Sequence, residues 1–169
     1  MNESELTDLF RRLGATNPES WASSQIQEEI PQLARFLFLR QAWSRIVDED
    51  DHSWQSAEIA YARENPDAPY AGVGQALGRL VAAGAAESDL TDVARGLQAQ
   101  LLFALCCLLE DPADLEEEAR DMAWGLFQLD ENDQPVAHIG GLHESVLETD
   151  PTGREMRPRG DALSRPVRR

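Results

Sequence analysis

The chain has 169 residues, 42% of them hydrophobic and 27% charged, with a net charge of −16. That is the size and composition of one globular domain with a core of its own, and not of a disordered segment. All 15 basic residues are arginine, so there is no lysine to form a pyridoxal-phosphate Schiff base, to hold phosphate in a P-loop or kinase site, or to serve a Ser-x-x-Lys acylation centre.

The charge is uneven: −7 over residues 1–68, −2 over 69–110, −11 over 111–153 and +4 over 154–169. Such an acidic body opposes direct contact with nucleic acid or an anionic membrane, and it suits a basic protein or bound cations. No uninterrupted apolar stretch approaches the roughly 18–20 residues of a membrane span; the longest, Leu101 to Leu109, has nine. Met1-Asn2-Glu3-Ser4-Glu5 lacks the basic and apolar regions of a signal peptide, so the expected address is the cytoplasm.

In chain order, Leu6, Leu9, Phe10 and Leu13 predict a helix over Glu3 to Leu13 that Gly14 stops. Asn17-Pro18 reads as N-cap and first residue of a second helix, carried by Trp21 and Gln25 to Pro31. Leu33, Phe36, Leu37, Phe38, Leu39, Trp43, Ile46 and Val47 predict a helix over 32–47, apolar round most of its circumference and so expected to be buried on several sides. The acids after it face the unfavourable end of the helix dipole and help to stop it. Ser53 to Tyr61 is a short helix, and 65–69 a loop. Pro69 starts a helix striped by Tyr70, Val73, Leu77, Leu80 and Val81 and ended by Gly84.

The strongest periodicity follows Ser88. Leu90, Val93, Ala94, Leu97, Leu101, Ala104, Leu105 and Leu108 make a seam over about five turns, and Phe103, Cys106, Cys107 and Leu109 make the second half apolar all round. This helix is expected to run through the centre of the fold. Asp111-Pro112 is then expected to open a further helix, with Leu115, Ala119, Met122, Ala123 and Leu126 inward. Leu126–Leu129 and Val136–Ile139 suggest a small hairpin, followed by Gly140-Gly141, a short segment from His143 to Leu147, and a turn at Asp150-Pro151-Thr152-Gly153. The fold class is therefore mostly all-α: a bundle of about five to six helices over 1–153 as a single domain, a possible C-terminal β-hairpin, and a flexible Arg-rich tail over 154–169.

Three sets of residues carry candidate chemistry. His138, His143, Glu144 and Asp150, with Glu148 nearby, are ligand types for a divalent metal or an acid–base pair, although their spacing matches no named motif and a plain surface loop fits as well. Asp48, Glu49, Asp50 and Asp51, followed by His52 and Trp54, form an acidic run beside an aromatic. It lacks the alternation and central glycine of a calcium loop and fits the recognition of a basic partner, or a solvated turn. Gly72, Gly74 and Gly78 have the wrong spacing for a dinucleotide loop and fit close helix approach. Adjacent Cys106 and Cys107 read as reduced core residues.

With no catalytic set of specific spacing, the sequence favours a non-enzymatic, acidic interaction module that binds a basic protein. In size and charge it is like toxin-neutralising immunity proteins and small adaptors, an analogy that does not extend to fold. The alternatives are a metal-dependent enzyme or metal-binding protein using the histidine and carboxylate cluster, and a subunit docked into a larger complex through the arginine tail. Homo-oligomerisation stays open, and apart from a divalent metal no cofactor is expected.

Overall fold

A computed structural model describes residues 1–111 and 115–159. In chain order its elements are α1 (Glu3–Leu13), α2 (Pro18–Gln27), α3 (Gln32–Trp43), α4 (Ser53–Glu64), α5 (Ala71–Ala82), α6 (Glu87–Glu110), a 3-10 turn (Glu117–Ala119), β1 (Phe127–Leu129), β2 (Pro135–His138) and α7 (Leu142–Ser145). The protein is thus mostly helical with one small antiparallel hairpin, as the sequence pattern predicts. It divides into two compact units: Met1–Trp43 with the chain from Leu101 onward, and Ser44–Gln100.

In the first unit, local chemistry sets the helix ends. Asn2 and Glu5 form a reciprocal capping box at the start of α1, and Gly14 closes it in the left-handed conformation at φ 90°. Pro18 occupies the first turn of α2, where its missing N–H costs nothing. Leu6, Phe10, Trp21, Ala22 and Phe36 then pack as one cluster. The Phe10, Trp21 and Phe36 rings lie 5.4–5.9 Å apart, two of the three pairs edge-to-face.

The chain after the hairpin docks on α3. Leu142 and Val146 are fully buried, and the Trp43 indole N–H donates to the Val146 carbonyl at 3.0 Å and to Thr149 Oγ1 at 3.2 Å. The β1–β2 register is Phe127↔His138, Gln128↔Ala137 and Leu129↔Pro135, with an irregularity after Gln128. Asp130 Oδ1 shapes the connecting turn by accepting from the backbone N–H of Asn132 and Gln134.

In the second unit α4 and α5 pack closely. A Cβ at Gly74 would collide with the Glu58 carbonyl of α4, whereas one at Gly78 would meet only Ile59 at 3.9 Å. The expected close approach therefore falls on Gly74. Fully buried Thr91 of α6 ties the unit together: its hydroxyl accepts from Trp54 Nε1 at 3.1 Å and Gln55 Nε2 at 3.0 Å and lies 2.9 Å from His52 Nδ1.

Three expectations are corrected. The helix predicted over 32–47 ends at Trp43 and is buried along one face, at Gln32, Arg35, Phe36, Leu39 and Trp43. It stops because the Val47 backbone is captured by α6: its N–H donates to Gln98 Oε1 and its carbonyl accepts from Arg95. No α-helix occupies 115–126, which holds only the short 3-10 turn. Glu116, Glu117 and Glu118 stand together there, the Arg120–Glu117 ion pair is long at 3.8 Å, and Met122 stays exposed. So little apolar surface would be buried that helix propensity is left unsupported. The expected start of that helix at Pro112, and the tail from residue 160 on, lie outside the described residues. The third correction concerns α6 and defines the candidate site.

Candidate functional site

The four candidate metal ligands go to separate partners. His138 is exposed on β2, its ring 5.3 Å from that of Phe127, against Gly125 and Gly140. His143 Nδ1 lies 3.1 Å from Glu110 Oε2 and its ring stands edge-on to Phe103. Asp150 is buried and accepts from the Thr152 hydroxyl and from the backbone N–H of Thr152 and Met156, closing the turn. Glu144 and Glu148 do come to one polar groove of about 330 Å3, with Ser24, Gln32, Arg35 and Ser145. Among the described residues, no three His, Cys, Asp or Glu side chains are grouped to hold a metal ion.

The acidic run is built into its own loop. Asp48 Oδ1 accepts from the Asp50 N–H at 2.9 Å and Asp51 Oδ1 from the Ser53 N–H at 2.7 Å, at the start of α4. The hydrogen bonds from the Ser53 side chain and backbone hold the Asp51 carboxyl below the usual range. Trp54 is half-buried with its indole N–H given to Thr91, so it acts here as an anchor of α4 on α6. Gly72, Gly74 and Gly78 all lie within α5, which follows a loop and not a strand.

Two ionisable groups near the end of α6 depart from their ordinary behaviour. Burial, helped by Cys107 and Glu110, pushes the Cys106 thiol up to about 11, so it is an unreactive core thiol at neutral pH. Burial raises the Glu110 carboxyl, but the His143 side chain and the N–H groups of His143 and Leu142 outweigh it, and the net effect is lowering.

The feature that the sequence pattern misplaced is α6 itself. Its inward residues are Thr91, Arg95, Ala99 and Cys106, a row about half a turn away from the predicted seam at 100° per residue. The seam faces outward: Val93, Leu97 and Leu101 keep 60, 61 and 59% of their surface exposed, and Phe103, Leu105 and Leu108 are exposed too. A helix apolar on all sides does not declare which side goes inward. Here the polar anchors decide, since Thr91 and Arg95 bond to the α4 side and to Val47. The missed signal was a buried arginine and threonine on the face opposite the leucines.

The helix has 24 residues and an 18-residue window of mean hydropathy 1.4, long and apolar enough to cross a membrane by length and composition alone. No family model matches this chain, and no curated protein or solved structure matches it significantly.

Proposed function

We propose that the chain is a non-enzymatic interaction module that holds a basic protein partner against α6. The observation that carries this reading is the exposed seam Val93–Leu97–Leu101–Leu105–Leu108. A row of large apolar side chains in water, extending about 22 Å along a 24-residue helix, is costly to keep bare and is characteristic of a contact surface. The acidic balance of the chain supports a basic partner, for which long-range attraction would speed encounter and select among candidates.

The test is affinity capture from an extract of the host cell, at low and high salt, with the wild-type chain and a Leu97→Glu/Leu101→Glu variant. The reading expects a basic protein retained by the wild type, released as salt rises and absent from the variant. Capture unaltered by both substitutions would count decisively against it.

A further inference from the structure

We infer that the polar groove of the first unit is a binding site for a free α-amino acid with a basic side chain, its carboxylate held by Arg35 and its cationic groups by Glu144, Glu148 and Glu28. The inference goes beyond the α6 reading and does not depend on it. The groove lies wholly within that unit, among α2, α3 and the stretch from α7 to Glu148.

The first observation is a buried charge without a partner. Arg35 is only 9% exposed, yet no hydrogen bond or ion pair engages its guanidinium among the described residues, and its Nε is enclosed with no acceptor. Burial lowers its pKa, with the charges of Glu144 and then Glu110 opposing that shift in part. Arginines at this depth are ordinarily paired, because bare N–H donors of a buried cation are costly. The fold nonetheless makes room for this one. Gly141 takes the left-handed conformation at φ 68°, and a Cβ there would overlap the guanidinium. The head group is thereby held at the wall of the groove, with the planar fork of donors that suits a carboxylate.

The second observation is the opposite charge beside it. Glu144 is exposed, and its carboxylate takes no hydrogen bond among the described residues. Glu28 accepts from the Ser24 hydroxyl at 2.9 Å and Glu148 from Asn17 Nδ2 at 3.3 Å, which leaves acceptor capacity on both. These three carboxylates share the groove lining with one cation, Arg35, while Arg40 lines a second groove that includes Glu148.

This set discriminates among ligands. A simple anion meets three carboxylates, and a simple cation leaves Arg35 unpaired. Among the described residues no three metal-ligating groups come together. A carboxylate and an ammonium on one carbon satisfy Arg35 and Glu144 together, and a second cation on the side chain meets the remaining acids. The volume, about 330 Å3, falls at the small end of the roughly 300–1,000 Å3 of small-molecule sites. Ser20, Ser24, Gln32 and Ser145 complete a polar lining suited to a hydrophilic ligand.

The experiment is isothermal titration calorimetry on the full-length chain with L-arginine, its amide, its Nα-acetyl derivative, the doubly blocked Nα-acetyl-amide, and L-glutamate. Wild type is compared with Arg35→Lys, Glu144→Gln and Glu131→Gln. Arg35→Lys keeps the charge and removes the fork. Glu131 is exposed in the hairpin turn, outside the groove, and controls for general acidity. The inference expects saturable binding of L-arginine and none of L-glutamate. It expects a loss of about 10- to 100-fold on amidation, on acetylation, and in each of the two groove variants, with no change in Glu131→Gln. Thermal melting checks that each variant folds. Should Arg35→Lys fail to fold, Glu144→Gln decides, since an exposed carboxylate without a hydrogen bond is dispensable to the fold.

Failure of L-arginine to saturate the wild type by about 10 mM overturns the inference and leaves Arg35 a structural residue. Amide binding equal to that of L-arginine would mean that the carboxylate is not read. Equal binding of the doubly blocked form would assign the groove to a peptide chain, and affinity unaltered in both groove variants would place the ligand elsewhere. Each of these results also overturns it.

Discussion

Glu110 shows how one side chain links distant parts of the first unit. It ends α6, its carboxylate faces His143 at 3.1 Å, and the His143 backbone N–H points to its second oxygen at 3.4 Å. Its folded-state pKa lies below the ordinary value of 4.5. A lowered carboxylate contributes stability that is present above the unfolded value and is lost as pH falls through the folded one. Glu110→Gln should therefore destabilise the protein at neutral pH, and the gap in denaturation midpoint should close as pH falls through the lowered folded-state value. A gap that persisted or widened in acid would show that the residue acts by shape and not by charge. Asp150 illustrates the same economy in a turn: a carboxylate only 3% exposed is made tolerable by three donors from Thr152 and Met156.

The elements differ in how much of their stability is local. Gly74 is the test for α4 and α5. A methyl there would strike the Glu58 backbone carbonyl, which cannot rotate away, whereas Gly72 on the same helix has nothing within 4 Å. Gly74→Ala should cost about 1–3 kcal/mol by forcing the helices apart, and Gly72→Ala should stabilise by about 0.5–1 kcal/mol through helix propensity, both read by chemical denaturation. Two substitutions of equal effect would mean that α4 and α5 give way freely at their contact. The same contrast explains what the sequence made legible. The ends of α1 and the start of α2 follow from Asn2, Gly14 and Pro18, whose effects reach only a few residues, and the hairpin follows from two short runs flanking Asp130–Asp133. The orientation of α6 does not follow, because its apolar residues surround the helix and the deciding bonds come from Trp54, Gln55 and Val47, far away in the chain. The helix expected after Asp111 fails for the opposite reason: its spacing is helical, but Ala119, Ala123 and an exposed Met122 leave too little to bury. The histidine and carboxylate cluster was readable as residue types but not as geometry, since Phe127 and Glu110 take up His138 and His143.

At the scale of the whole chain, strong repulsion coexists with an apolar surface. The net charge is −16, and exposed ion pairs oppose it in part, among them Arg11 with Asp8 and Glu19, Arg120 with Glu117, and Arg157 with Glu155. Exposed pairs of this kind contribute up to about 1 kcal/mol each, whereas repulsion among surplus acids acts over the Debye length of about 8–10 Å and weakens as ions are added. Added sodium chloride should accordingly raise the midpoint of thermal unfolding by a few degrees, followed by circular dichroism from low salt to about 0.5 M. A falling midpoint would show that attractive pairs dominate. The same titration bears on the α6 seam. If repulsion keeps bare molecules apart, self-association will be weakest at low salt, where attraction for the proposed basic partner would be greatest. On the proposed reading the charge would do two things at once: keep exposed leucines from pairing with their own copies, and leave them open to a partner of the opposite sign.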